Sequence, residues 1–327
     1  MKQAALNLDL HCKKTRKREF LEQMEQVVPW AELVSLIAPS YPEGRNGRPP
    51  FALESMLRIH FIQQWFSLSD PAMEEAFFDT PLLREFARLQ EFERLPDEST
   101  ILRFRHRLEK HHLAEQILAT VNALLSQRGL LLKAGTVVDA TLIAAPTSTK
   151  NKDKSRDPEM HSSKKGNQWY MIEGHPTGWS MKAHIGVDAQ SGLVHTVRGT
   201  SGHVSDIAEG NALLHGQETQ AFGDAGYQGI EERPDARLEV DWHIAMRPGK
   251  RRALDKNEEA GALIDEAEKQ KASVRAKVEH PFRVLKRQFG FMKVRYRGLM
   301  KNTAQLITLF ALSNLWMVRG KLMAVQA

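Results

Sequence analysis

The periodicity of this chain changes once, at Gly129, and that change constrains the fold more than any other feature. Before it, apolar residues recur at helical spacing, as in Ala52 to Phe66 and Leu113 to Gln127. Ser69 or Asp70 can cap a helix with Pro71 in its first turn, and Ser99 can cap another that runs to Leu108. After Gly129 the stretch Thr136 to Ala140 is β-branched and apolar, the composition of a buried strand. Met181–Asp188 and Leu193–Arg198, joined by Ala189-Gln-Ser-Gly192, predict a hairpin. Further strands are predicted at 220–223 and 242–246, with helices at 205–215 and 258–289, the latter kinked or restarted at Pro281. The expected fold is α+β/α: a helical N-terminal domain over 1–130, then a mixed β-sheet core flanked by helices over 131–300. A C-terminal helix over 301–327, capped by Asn302-Thr303, should pack on that core. Residues 146–179 are polar and aperiodic, which predicts a mobile insertion in the core domain.

The chain has 327 residues, 42% of them apolar, enough for a large core and incompatible with wholesale disorder. Its net charge of +6 is concentrated in basic clusters, which favours an anionic polymer as partner. A single cysteine, Cys12, excludes an internal disulfide framework and any multi-cysteine zinc site, consistent with a reducing compartment. The first residues lack the apolar core of a signal peptide, and the most hydrophobic segment, 304–318, is broken by Gln305, Thr308, Ser313 and Asn314. A cytoplasmic protein without a membrane partner is expected.

Three carboxylates stand apart from the rest. Asp139 closes the apolar run Gly135-Thr-Val-Val, and Asp224 closes Ala221-Phe-Gly before Ala225-Gly-Tyr227. Glu279 lies in the basic helical stretch from Arg275 to Lys286. Singly, each is an ordinary loop cap or ion-pair partner. Two strand-end aspartates met by a glutamate from a helix crossing the sheet would repel one another, so the cluster implies divalent metal or a shared proton. Hard oxygen ligands suit two Mg²⁺ ions, with Mn²⁺ possible, clamping an in-line phosphoryl transfer.

On the Glu279 helix, Arg275, Arg283 and Lys286 should share the acid's face, while Val274, Val278, Phe282, Leu285 and Phe289 line another. The cations would hold phosphates; a salt-bridged surface helix is the plainer alternative. Arg103, Arg105 and Arg107 give one N-terminal helix a basic row, as in a helix-turn-helix module or a bundle with a solvated basic face. Lys250-Arg-Arg252 and Lys293, Arg295, Arg297, Lys301 around Tyr296 fit either a DNA-backbone patch or a solvated surface. His184, His195 and His203 with Asp206 lack a metal-ligand spacing and read as satisfied histidines. Asp188 beside Ser191-Gly192 reads as a turn residue.

Asp139-Ala-Thr141, Phe222-Gly-Asp-Ala-Gly-Tyr-Gln-Gly229 and Arg275-x3-Glu279-x6-Lys286 resemble the three acidic motifs of bacterial insertion-sequence DDE transposases. Lys182-Ala-His-Ile-Gly-Val-Asp188 and Glu279-His-Pro-Phe-Arg-Val-Leu-Lys-Arg-Gln-Phe-Gly290 are similar to the fifth insertion-sequence family, within the wider fourth-family superfamily. The likeness runs from about residue 10 to 320 and includes Gly47-Arg-Pro-Pro50 and Leu57-Arg-Ile-His60. It implies a ribonuclease H-like core, binding of double-stranded DNA at the element's inverted repeats, donor cleavage and strand transfer with Mg²⁺. It further implies Asp139, Asp224 and Glu279 as metal ligands and catalytic acids, and Arg275 and Lys286 as contacts to terminal DNA. Two ends must be held together, so a homodimer is expected in the DNA complex. Two departures stand out: Ala272 replaces a tyrosine common in the superfamily, and the passage from Trp169 to Ser180 is longer than expected. Without joining, the same residues would make a nuclease; without catalysis, a DNA-binding regulator.

Overall fold

Among the described residues, helical periodicity before Gly129 yields seven α-helices: α1 (Arg16–Val27), α2 (Trp30–Ile37), α3 (Leu53–Phe66), α4 (Asp70–Asp79), α5 (Pro81–Phe86), α6 (Glu98–Lys110) and α7 (Leu113–Gln127). They are seen in a computed structural model that describes residues 14–44, 48–90, 94–150, 152–165, 168–169 and 178–324. Ser69 accepts the Ala72 amide at 3.3 Å with Pro71 in the first turn, so α4 starts as its sequence predicts. The expected cap of α6 is corrected: Asp97, not Ser99, accepts the Thr100 amide, at 2.7 Å. Helix α3 is buried nearly all round, and its buried Arg58, Gln63 and Gln64 are hydrogen-bonded to neighbouring elements, whereas buried His60 Nδ1 has no partner.

The strands are β1 (Gly135–Ala144), β2 (His161–Ser162), β3 (Lys164–Lys165), β4 (Gln168–Trp169), β5 (Trp179–Asp188), β6 (Val194–Ser201), β7 (Gln220–Gly223) and β8 (Asp241–Ile244). The main sheet runs β6-β5-β1-β7-β8, with the first two pairings antiparallel and the last two parallel. The short β2 extends the free edge of β5 beside β6, while β3 and β4 pair separately. The β5–β6 hairpin turns where predicted. Asp188 accepts amides from Leu132, Lys133, Gln190 and Ser191, so although burial opposes it, those donors hold its carboxyl below the usual range.

The remaining helices are α8 (Asp206–Gly210), α9 (Pro248–Arg252), α10 (Glu259–Arg275), α11 (Glu279–Arg283) and α12 (Leu299–Ala324). The predicted helix 258–289 is not continuous. Residues 276–278 tighten into a 3-10 turn just ahead of Pro281, and Val284–Gln288 loosen into a π-helix. Its apolar face is as expected: Val278, Phe282, Leu285 and Phe289 are buried and Val274 packs against them. Helix α12 begins three residues before the predicted cap, and Asn302 instead closes the preceding loop through both backbone groups of Tyr296. The polar residues that break its apolar run are used internally. Asn314 bonds both the amide and carbonyl of Val194 and the side chain of Asn122, locking α12 to β6 and α7. Among the described residues no helix is long and apolar enough to cross a membrane.

One apolar core joins the N-terminal helices, α12 and one face of the sheet; a smaller one covers the other face around Val138, Leu213 and Tyr227. The polar insertion is also corrected where it is described. Instead of hanging free, Asp153 pairs with Arg297, and Asp157 and Glu159 accept the amides of Gly298 and Leu299 at the start of α12. Most of the Trp169–Ser180 passage, residues 170–177, lies outside the described residues, as do Cys12 and Gly47 of the Gly47-Arg-Pro-Pro50 motif.

Candidate active site

Sheet register brings the two aspartates together. Parallel pairing joins Val137 to Phe222, and two residues further along, the same register sets Asp139 opposite Asp224. Asp224 ends β7 as predicted. Asp139 does not end its strand: β1 continues five residues beyond it, because its antiparallel partner β5 is ten residues long whereas β7 stops at Gly223. Asp139 thus sits mid-strand at the point where β1 outruns its parallel neighbour. Each carboxylate is oriented locally, Asp139 by the Ala140 amide at 2.8 Å and Asp224 by the Gly226 amide at 2.7 Å. A Cβ at Gly226 would come within 2.8 Å of Asp224 Oδ1, so a side chain there would displace that carboxylate.

Glu279 opens α11 immediately after the 3-10 turn that packs on β1. A groove of about 540 Å³ is lined by Asp139, Ala140 and Thr141 on the strand side and by Glu279, Arg283, Lys286 and Arg287 on the helix side. Lys286 reaches across it to donate to Thr141 Oγ1 at 2.6 Å, and burial lowers its pKa. Arg275 does not line the groove, yet its charge acts on Asp139. Glu279, Arg283 and Lys286 line the groove together, and Arg275 stands outside its lining.

Burial raises the Asp139 carboxyl to about 7, with the charges of Asp224 and Asp206 adding to the rise and the Ala140 amide and Arg275 opposing it. Asp206, on α8, is an acid near this site that the motifs do not flag; it pairs with Lys182 at 2.9 Å. Tyr227 is fully buried, its hydroxyl has no hydrogen-bond partner, and burial followed by the charges of Asp139, Asp206 and Asp224 drives its pKa up. A buried excess of negative oxygen is the environment that a divalent cation relieves, and the all-oxygen donor set fits Mg²⁺ or Mn²⁺. Among the described residues the three acids do not draw all their oxygens within 4.8 Å of one another. Asp139 and Glu279 line the groove, while Asp224 lies outside its lining and acts on Asp139 through its charge.

The basic residues divide in the same unforeseen way. Arg103 is exposed and, with Arg107, lines a groove of about 400 Å³ that also holds Arg48, Arg94 and Phe51. Arg105 is corrected as a surface contact. It is buried, pairs with Asp70 at 3.0 Å and Glu109 at 2.8 Å, and stacks on Tyr296 at 3.9 Å. Arg105→Ala should cost about 3 kcal/mol in chemical denaturation by leaving two buried acids without their shared cation. Arg103→Ala should stay within about 0.5 kcal/mol of the parent. The patch around Tyr296 is likewise structural: Arg295 donates to the carbonyl of Ser67 and Arg297 to Asp153. In the 250–252 patch, Arg251 pairs with Asp265. His203 bonds Ser201 at 3.0 Å and His195 bonds Thr136 and Thr196, as satisfied histidines should, while His184 bonds Thr200 at 2.7 Å and keeps a buried Nδ1 without a partner; His195 also meets His215 and Glu218.

Residues 131–315, more than half of the chain, match the family described as "Transposase DDE domain", and residues 8–107 match "Transposase domain (DUF772)". No solved structure matches the chain.

Proposed function

Because this chain belongs to the insertion-sequence DDE transposases, we propose that it binds the inverted repeats of its element, cleaves donor DNA and joins the freed 3′ ends to target DNA. The observation that carries this is the groove in which Asp139 and Glu279, remote in sequence, face each other beside Arg283, Lys286 and Arg287. Asp139, Asp224 and Glu279 would hold the divalent ions. Bound there, two Mg²⁺ or Mn²⁺ ions would supply activation of the attacking oxygen and neutralisation of the leaving one. Arg275 favours the ionised form of Asp139 that such binding needs. Arg283 is exposed on the groove wall and Lys286 is anchored on Thr141, so the pair is disposed to bind the phosphates flanking the cut.

The antiparallel, antiparallel, parallel, parallel strand sequence supports a ribonuclease H-like core for residues 131–300. The exposed Arg48 and Arg103 of the N-terminal groove support end binding by residues 1–130, with Arg103 as a contact and Arg107, half-buried and donating to the Ser40 carbonyl, beside it. Two ends acted on together require a dimer in the DNA complex.

The test is incubation of the protein with pre-cut end DNA, a target plasmid and Mg²⁺. Joined product is expected. Nicking without joining would reduce the protein to a nuclease, and end binding without any Mg²⁺-dependent cut would leave a regulator. End affinity should also fall roughly tenfold or more between 50 and 200 mM salt, in proportion to the phosphates contacted; a flat response would reject the basic groove as interface.

A further inference from the structure

A second constellation lies on the opposite face of the sheet from the Glu279 groove. Alternation along β1 places Val137 in the main core and Val138 in the smaller one, so Thr136 shares the face of Val138 while Asp139 lines the groove. On the Thr136 side, His195 of β6, His215 and Glu218 bring their ligating atoms within 4.8 Å of one another. Glu218 Oε1 lies 3.4 Å from His215 Nε2, close to the spacing of two ligands on one tetrahedral ion with bonds of about 2 Å. The Thr136 hydroxyl sits beside them, 2.9 Å from Glu218 and 3.0 Å from His195 Nε2.

The site is built rather than incidental. His215 Nε2 is buried and has no hydrogen-bond partner, in a side chain only 10% exposed. Gly186 makes room for it: a Cβ there would come within 2.8 Å of His195 Cε1 and closer still to the carbonyl of Leu213. Both rings have the outer partners that fix a metal-binding imidazole. His195 Nδ1 lies 2.9 Å from Thr196 Oγ1, and His215 Nδ1 accepts the Gln217 amide at 3.2 Å, which leaves Nε2 facing Glu218. We propose that His195, His215 and Glu218 form a three-ligand zinc site, its fourth position left to a solvent oxygen, that pins the segment before β7 to β1 and β6. Two imidazoles and one carboxylate suit Zn²⁺ better than Mg²⁺, which prefers oxygen alone.

The consequence is mechanical: the pinned segment leads directly into β7 and hence to Asp224.

The inference is independent of the reaction proposed above, and its test is kept so by using an Asp139→Asn background. Protein purified without chelator and gel-filtered should carry about one zinc per chain by mass spectrometry, reduced roughly tenfold by His215→Ala or Glu218→Gln but not by His203→Ala. The metal-stripped protein should melt at a higher temperature on addition of Zn²⁺ and not of Mg²⁺. If His215→Ala fails to fold, the Zn²⁺ titration of the otherwise unaltered protein decides alone. Folded protein that retains no zinc after loading and desalting, and melts unchanged, would overturn the site, as would equal retention in His215→Ala and His203→Ala.

Discussion

Asp139→Asn is expected to abolish cleavage and strand transfer, by roughly a thousandfold or more, while end-DNA affinity stays within about threefold. A loss of that size corresponds to about 4 kcal/mol of transition-state stabilisation, within what divalent ions supply through Lewis-acid and charge effects. Asparagine keeps the size of the side chain and the acceptor facing the Ala140 amide, so the local geometry should survive. The same substitution should stabilise the metal-free protein at alkaline pH. Between its ordinary pKa of 3.8 and about 7, folded Asp139 keeps a proton that the unfolded chain has released, so stability falls as pH rises through that window. The full span is worth roughly 4 kcal/mol, and asparagine, which never ionises, removes it. In chelator at pH 8 the variant should melt above the parent, with the gap closing as pH drops toward 4. Strand transfer on pre-cut ends by this variant, at anything near the parent rate, would reject Asp139 as a metal ligand.

Where the sequence was informative, the signal was local. The β5–β6 hairpin follows from alternation on either side of Ala189-Gln-Ser-Gly192, and Asp224 ends its strand because Ala225-Gly-Tyr turns the chain away at once. Asp139 was misplaced on its strand because the length of β1 depends on β5, forty residues on and across the polar insertion. The arginine row held its own correction. Residues two apart on a helix lie about 200° apart, so Arg103 and Arg107 can share a face that Arg105 cannot. His215 and Glu218 gave no comparable signal. They fall in an irregular segment that only the return of the chain to β7 carries past His195. The clasp of Asp153, Asp157 and Glu159 on the start of α12 is also long-range, and composition alone makes such a segment look free.

Arg58→Ala should destabilise the protein more than any surface substitution in the N-terminal helices, by about 3–5 kcal/mol in denaturant unfolding. Arg58 is 1% exposed, and its guanidinium meets Glu25 at 2.8 Å, Glu54 at 2.8 Å and the Phe86 carbonyl at 3.1 Å. It also stacks on Trp30, with 4.1 Å to the ring centroid, so one side chain ties α1, α2, α3 and α5 together. Glu25 and Glu54 are about one-third exposed and can regain water once the arginine is gone, so their desolvation is not the main loss. The larger part comes from the cavity beneath Trp30 and Phe86 and from a buried carbonyl left unpaired. Arg88 supplies the control. It pairs with the same two acids but is 54% exposed, so Arg88→Ala should cost no more than about 1 kcal/mol. Because the core of these helices is continuous with α12 and the sheet, Arg58→Ala should lower one shared unfolding transition, followed by tryptophan fluorescence and far-ultraviolet dichroism. Equal shifts for Arg58→Ala and Arg88→Ala would show that the ion pairs alone, and not the buried stacking, hold these helices together.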